Sequence, residues 1–148
     1  VMDLRDMTSE EKWEAASDPN TPKDTLGELA KSENVGYRAQ VAKNPNTPGD
    51  ALRELAKDYV YWDVRASVVY NPNTPDDVLL DLATDTNMNV RRYVANNPKS
   101  SSKILVSVFE YEKSLKEPDR DVIRTLYKNP KLPHVVKVII ETLFAEML

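Results

Sequence analysis

The sequence predicts an all-α fold, a solenoid of about five stacked two-helix repeats of roughly 26 residues each. Three observations predict it: prolines fall on a fixed beat, helix caps and helix breakers alternate, and leucines recur at matching offsets. Of ten prolines, five sit in Asp-Pro or Asn-Pro, at Pro19, Pro45, Pro72, Pro98 and Pro130, spaced by 26, 27, 26 and 32 residues. Four more, Pro22, Pro48, Pro75 and Pro133, follow these at three residues' distance. Self-similarity at a period of roughly 20–50 residues marks stacked repeats and takes precedence over other fold readings.

Read in order, 1–148 forms one domain: a cap over 1–18, repeats over 19–44, 45–71, 72–97 and 98–129, and a closing helix over 130–148. In the cap, Thr8-Ser9-Glu10-Glu11 reads as a helix start leading into Trp13 and Ala16. The first helix of each repeat opens with Asn-Thr-Pro at Asn20, Asn46 and Asn73. Thr is a good N-cap and Pro suits the first helical position. The acids Asp24, Asp50 and Asp77, three residues after each Thr, resemble the far half of a capping box. Leu26 and Leu29, Leu52 and Leu55, and Leu79 and Leu82 then make one narrow apolar stripe, each followed by Ala. The second helix carries Val64 and Val68, Val90 and Val94, or Val122 and Leu126, with Tyr37 and Val41 in the first copy. Each Asn-Pro is a stop, since Pro forbids helical continuation and drives the residue before it out of the α region. So short a helix pair cannot bury its stripe alone; it must rest on its neighbours.

The ends depart from the pattern. The fourth repeat has Asn97-Pro98-Lys99-Ser100-Ser101, with Ser as the cap and Ile104, Leu105 and Val108 as the stripe. Its six extra residues lie between Val108 and Asp121, as added turns of its first helix. The last segment is apolar around most of its circumference, from Val135 to Leu148. It tucks in, pairs with another chain, or continues against further sequence, so the chain is a monomer or a dimer through this helix.

With these residues laid out, the chain resembles the leucine-rich repeat variant family. The closest unit runs from Asn71-Pro72-Asn73-Thr74-Pro75 through Leu79, Leu82-Ala83, Asp85 and Val90-Arg91 to Val94-Ala95. The resemblance covers residues 18–98 and weakens out to Pro133. It implies a right-handed superhelix of alternating α- and short α- or 3₁₀-helices, and no single activity. The cysteine-ligated iron–sulfur cluster of a founding type of member is not implied, because this chain has no cysteine. The Val-Arg-x-x-Val half is also similar to the second helix of HEAT repeats.

Composition narrows the function classes. Without cysteine there are no disulfides, thiolate metal sites or thiol nucleophiles. His134 is the one histidine, and Gly27, Gly36 and Gly49 form no phosphate loop. No catalytic, metal or cofactor constellation emerges, so neither an enzyme nor a cofactor is expected. The net charge of −4 argues against nucleic acid, which takes a basic face. No run approaches the roughly 20 apolar residues of a membrane span, and the opening Val-Met-Asp-Leu-Arg-Asp lacks the apolar core of a signal peptide. The expected location is cytoplasmic.

Two features invite a partner. Arg38, Arg65 and Arg91 share one repeat position, six before the Asn of Asn-Pro. They either grip an acidic ligand or pack along the stripe and pair with a neighbouring repeat's carboxylate, such as Asp58 or Asp85. Tyr59, Tyr61, Trp62 and Tyr70 cluster in one repeat only, and Arg92 and Tyr93 extend outward from the next. Tyr and Trp are typical anchors of binding surfaces, although Trp62 also suits a core role at the one 27-residue junction. The function read from the sequence is a non-catalytic protein or peptide interaction module, with a nucleic-acid-binding solenoid as the alternative. The asparagines before proline, Asn44, Asn71, Asn97 and Asn129, are read as structural.

Overall fold

The computed structural model describes residues 3–148. Among these residues the chain forms ten α-helices, two single 3₁₀ turns at Leu4–Asp6 and Ala145–Met147, and no strand. The all-helical expectation holds. The fold divides into two units, Val1–Pro75 and Asp76–Leu148.

In the first unit, α1 (Ser9–Ser17), α3 (Val35–Lys43) and α5 (Trp62–Tyr70) are nine-residue helices, and α3 packs against both of the others. The seven-residue helices α2 (Lys23–Leu29) and α4 (Gly49–Leu55) alternate with them. A capping box at Thr8 starts α1: Thr8 Oγ1 accepts from the Glu11 N–H and Glu11 Oε1 from the Thr8 N–H, both at 3.1 Å. Leu26, Leu29, Leu52 and Leu55 face the core from the short helices, against Ala16, Val41, Val64 and Val68 of the long ones. The short helices are α-helical, closed by bonds such as Ala30 N–H to Leu26 C=O at 2.9 Å and Ala56 N–H to Leu52 C=O at 2.9 Å. Among the described residues, the 3₁₀ geometry carried by the family resemblance is confined to the two terminal turns.

The stops behave as the prolines dictate. Asp18, Asn44 and Asn71 cap the long helices with ψ of 120°, 123° and 130°, the extended backbone that a following Pro enforces. The starts do not. Pro22 and Pro48, not the threonines, occupy the cap positions of α2 and α4. Each Thr is buried and donates its hydroxyl backward at 2.6 Å: Thr21 to the Ala15 carbonyl, Thr47 to Val41, Thr74 to Val68. The reversal is so tight that the hydroxyl lies over the end of the helix just finished, adding a second donor to the Val41 and Val68 carbonyls, which also accept from the Asn44 and Asn71 N–H groups. The N-cap and capping-box readings of Asn-Thr-Pro therefore fail, and Asp24 and Asp50 keep only their place at the positive end of the helix.

The asparagines before proline are structural, and they reach further than a local turn. Asn44 Nδ2 donates to the carbonyls of Ala16 (2.9 Å) and Asp18 (2.8 Å), one repeat earlier, while its Oδ1 accepts from the Asn46 N–H. Asn71 repeats this on Ala42 and Asn44, both at 2.8 Å, and accepts from Asn73. The amides of Asn46 and Asn73 make a second, outer row of bonds to the Thr21 and Thr47 carbonyls. Among the described residues, every buried side-chain nitrogen and oxygen has a partner.

The second unit holds α6 (Asp76–Leu82), α7 (Met88–Asn96), α8 (Ser102–Ser114), α9 (Arg120–Lys128) and α10 (His134–Leu143). Here too Ser100 Oγ donates to the Val94 carbonyl, and Asn129 Nδ2 to Ala95, one repeat back. Ser101 caps α8 by accepting from the Ile104 N–H at 3.3 Å. α8 is 13 residues long against seven for α6, so the six extra residues are added helical turns, as expected. They place Glu112, fully buried, against the Arg91 guanidinium, with Glu112 Oε2 accepting from the Asp119 N–H at 2.8 Å. The closing segment tucks in by half. Val136 and Ile140 are buried, and Phe144 meets Phe109 edge-on at 6.3 Å. Arg120 and Arg124 hold the carbonyls of Glu146 and Met147. Val135, Val138 and Leu143 stay exposed.

Candidate functional site

The first unit departs from its own repeat at one place, the connection between α4 and α5. The corresponding connections, at 30–34 and 83–87, take five residues; this one, at 56–61, takes six. In the shorter ones an asparagine caps the next helix, Asn34 accepting from the Gly36 N–H and Asn87 from the Asn89 N–H. In the longer one Tyr61 stands at the cap position and makes no side-chain cap bond. Losing such a cap costs about 1 kcal/mol, and aromatic surface stands in its place.

Asp58 holds this connection rigid. Its Oδ1 accepts from the N–H groups of Val60 (3.2 Å) and Tyr61 (3.0 Å), and its Oδ2 from Arg38 Nε at 3.0 Å. Its carbonyl accepts from Arg65 NH1. Burial works against ionisation of this carboxyl. The Tyr61 N–H, the Arg38 guanidinium and the Val60 N–H together outweigh it and hold the pKa below the ordinary aspartate value. On this anchored base Tyr59 is 92% exposed and Val60 56%. Tyr61 lies against the Arg38 guanidinium, 5.7 Å from its ring centre, and Trp62 begins α5. A shallow depression of about 830 Å³ adjoins the aromatic run, lined by Ala30, Arg38, Leu55, Asp58, Tyr59 and Val60 among others.

The structure brings Tyr59, Tyr61 and Trp62 together and sets Tyr70 apart. Tyr70 ends the helix that Trp62 begins, about 12 Å along its axis at 1.5 Å per residue. Arg92 and Tyr93 lie on α7 in the second unit, held to each other with the guanidinium 5.3 Å from the ring centre. Arg92 also donates to Asn89 Oδ1 at 3.2 Å.

The Arg positions take the packing role. Arg38 pairs with Asp58 of the next repeat and also donates to the Ser32 and Glu33 carbonyls. Arg91 is buried, pairs with Glu112, donates to the Asp85 and Thr86 carbonyls, and lies 5.2 Å from the Tyr111 ring centre. Sequence reasoning missed Val60, an apolar residue indistinguishable by type from a core position. It also missed Glu112, for which the available signal was a carboxylate at helical spacing on the apolar stripe of Leu105, Val108 and Phe109. Trp13, read from the sequence as part of the N-terminal cap, is half exposed, 6.5 Å from Tyr37. A Cβ at Gly36 would come within 3.2 Å of its ring, so the missing side chain gives the indole its seat.

Among the described residues no group of three or more His, Cys, Asp or Glu side chains is placed to hold a metal ion. No helix among them is long and apolar enough to cross a membrane. The family model described as leucine rich repeat variant matches residues 36–58 and 62–86, two adjacent units that flank the aromatic connection. No curated protein and no solved structure matches the chain.

Proposed function

We infer that this chain, built around two leucine-rich repeat variant units, is a non-catalytic interaction module that docks a protein or peptide on the edge formed by Tyr59, Val60, Tyr61 and Trp62. One observation carries the reading: an anchored connection gives up the asparagine cap of its counterparts and holds Tyr59 and Val60 out in solvent. Exposed Tyr and Trp on a rigid base bring large contact area at little cost in conformational entropy. Residues 1–75 carry thirteen carboxylates against nine lysines and arginines, a balance that repels a phosphate backbone and suits basic groups beside the partner's apolar anchor. Arg38 and Arg91 are committed to ion pairs inside the fold, which takes two of the four arginines that the nucleic-acid alternative would need.

The test compares two sets of variants that keep the fold by circular dichroism. The tagged chain is used to capture a partner from its source cells, and binding is then measured with the purified pair. Tyr59→Ala with Trp62→Ala abolishes binding, while Tyr70→Ala, a helix length away, leaves it intact. Full binding by the double variant would overturn the proposed edge.

A further inference from the structure

We propose that the outer face of α1, centred on Trp13, takes an arginine side chain from a basic segment of a partner protein. Trp13 is 46% exposed, on a rigid base. The Tyr37 ring stands beside it, tilted by 59° with ring centres 6.5 Å apart, and the Tyr37 hydroxyl donates to the Ser9 carbonyl at 3.2 Å. On α3 the indole is admitted by the missing side chain of Gly36, although glycine is a poor helix former. The counterparts of Gly36 in the next repeats are Asp63 and Asn89. The exposed part of the indole adds nothing to the core; held still in solvent, it is a stacking face for a cation. This surface is separate from the aromatic edge at Tyr59 to Trp62, since α3 packs between α1 and α5.

Charge selects the occupant. Residues 1–18 carry six carboxylates against Arg5 and Lys12, whereas residues 19–148 carry eighteen of each sign. The chain's whole net charge of −4 therefore lies in the segment that bears Trp13. Glu10 and Glu14 stand on one side of Trp13, at about 60° and 100° around the helix, with Lys12 on the other side. Both are exposed, and among the described residues neither pairs with a Lys or Arg, and no cation of the chain lies over the Trp13 ring. The fold holds its own guanidinium groups in the same way. Arg38 lies 5.7 Å from the Tyr61 ring centre and pairs with Asp58; Arg91 lies 5.2 Å from that of Tyr111 and pairs with Glu112. The carboxylate precedes its ring by three residues in the first case and follows it directly in the second. Glu10 and Glu14 stand at these same two spacings from Trp13. Arginine fits better than lysine, because a planar guanidinium stacks on an indole while its edge bonds a carboxylate.

Titration of the whole chain with an acetylated, amidated hexa-arginine peptide, followed by NMR, tests it. Of the two indole N–H signals, that of Trp13, assigned by its loss in Trp13→Leu, moves and saturates. Affinities come from the backbone amide shifts of α1, so that they are read in every variant. Trp13→Leu weakens binding by at least about threefold, and Glu10→Gln by about twofold or more. Asp81→Asn, the same change of charge at an exposed position of α6, leaves it unchanged, and hexa-lysine binds more weakly. Binding that Trp13→Leu leaves intact overturns the site. An effect of Asp81→Asn as large as that of Glu10→Gln reports attraction to overall charge alone and also overturns it. Equal binding of hexa-lysine overturns the choice of arginine. Glu10→Gln alters only an exposed side chain, so it tests the site even where Trp13→Leu disturbs α1, and circular dichroism checks the fold of each variant.

Discussion

The side-chain amide of Asn71 donates, at 2.8 Å, to the main-chain carbonyl of Asn44, the residue in its own position one repeat earlier. Asn44 does the same to Asp18. In the first unit these two stop signals are therefore bonded to the stop before them, so the residue that ends a helix also fixes how repeats within that unit stack. Asn supplies two donors and an acceptor on a short stem, and all three are used here.

The threonine role is open to a direct test. If Thr47 served as an N-cap, Asp would replace it well. Its hydroxyl instead donates to the buried Val41 carbonyl. Thr47→Val should then cost about 0.5–1.5 kcal/mol, since the Val41 carbonyl keeps the Asn44 N–H, Thr47→Ser less, and Thr47→Asp the most, since an acceptor would face an acceptor. Urea unfolding ranks the three, and an Asp variant as stable as the parent restores the capping role.

Arg91 and Glu112 form an ion pair with both side chains buried. Removing one partner strands a charge, and Glu112→Ala should cost about 3–5 kcal/mol. Replacing both, as Arg91→Met with Glu112→Leu, should recover most of that loss. A double variant no better than Glu112→Ala would show that the pair's other bonds, to Asp119 and the Asp85 carbonyl, matter more than its charge.

Asp58 makes stability depend on pH. Its pKa in the fold lies below the ordinary value, burial being outweighed by the Tyr61 N–H, Arg38 and the Val60 N–H. The stabilisation is therefore present above the unfolded aspartate value of about 3.9 and is lost as pH falls through the lowered folded value. Asp58→Asn should cost about 1–3 kcal/mol at neutral pH, and the gap from the parent should begin to narrow below about pH 4. A gap constant from pH 7 to 3, measured by denaturant titration, contradicts this role.

Leu55 and Lys57 are two residues apart on opposite sides of the wet boundary, the first buried and the second exposed. Leu55→Ala should cost about 2–5 kcal/mol, and Lys57→Ala, which loses only a solvent-exposed pair with Glu54, no more than about 0.5 kcal/mol. Equal thermal shifts would put the helical register in error.

Helix stops, leucine stripes and the six-residue extension of α8 were legible because each follows from a local rule: pre-proline sterics, helical periodicity, or simple residue count. Thr21, Thr47 and Thr74 were misread because a hydroxyl before proline suits two roles, and only the tightness of the reversal chooses the backward one. The place of Glu112 on an apolar stripe was legible, but its pairing was not, because its partner Arg91 is 21 residues away. The aromatic run was visible as a break in the repeat, yet its division from Tyr70 required knowing that α5 spans Trp62–Tyr70. Asn was correctly read as structural, but its reach across repeats depends on stacking distance, which no single repeat encodes.

The most direct measurement of that stacking is the equilibrium unfolding of Asn71→Ala beside Asn73→Ala in urea. Asn71 is buried and its loss leaves the Ala42 and Asn44 carbonyls without their donor, for an expected cost of about 2–4 kcal/mol. The exposed Asn73 should cost no more than about 1 kcal/mol. An Asn71→Ala chain within about 0.5 kcal/mol of its parent would contradict the claim that these amides hold one repeat upon the next.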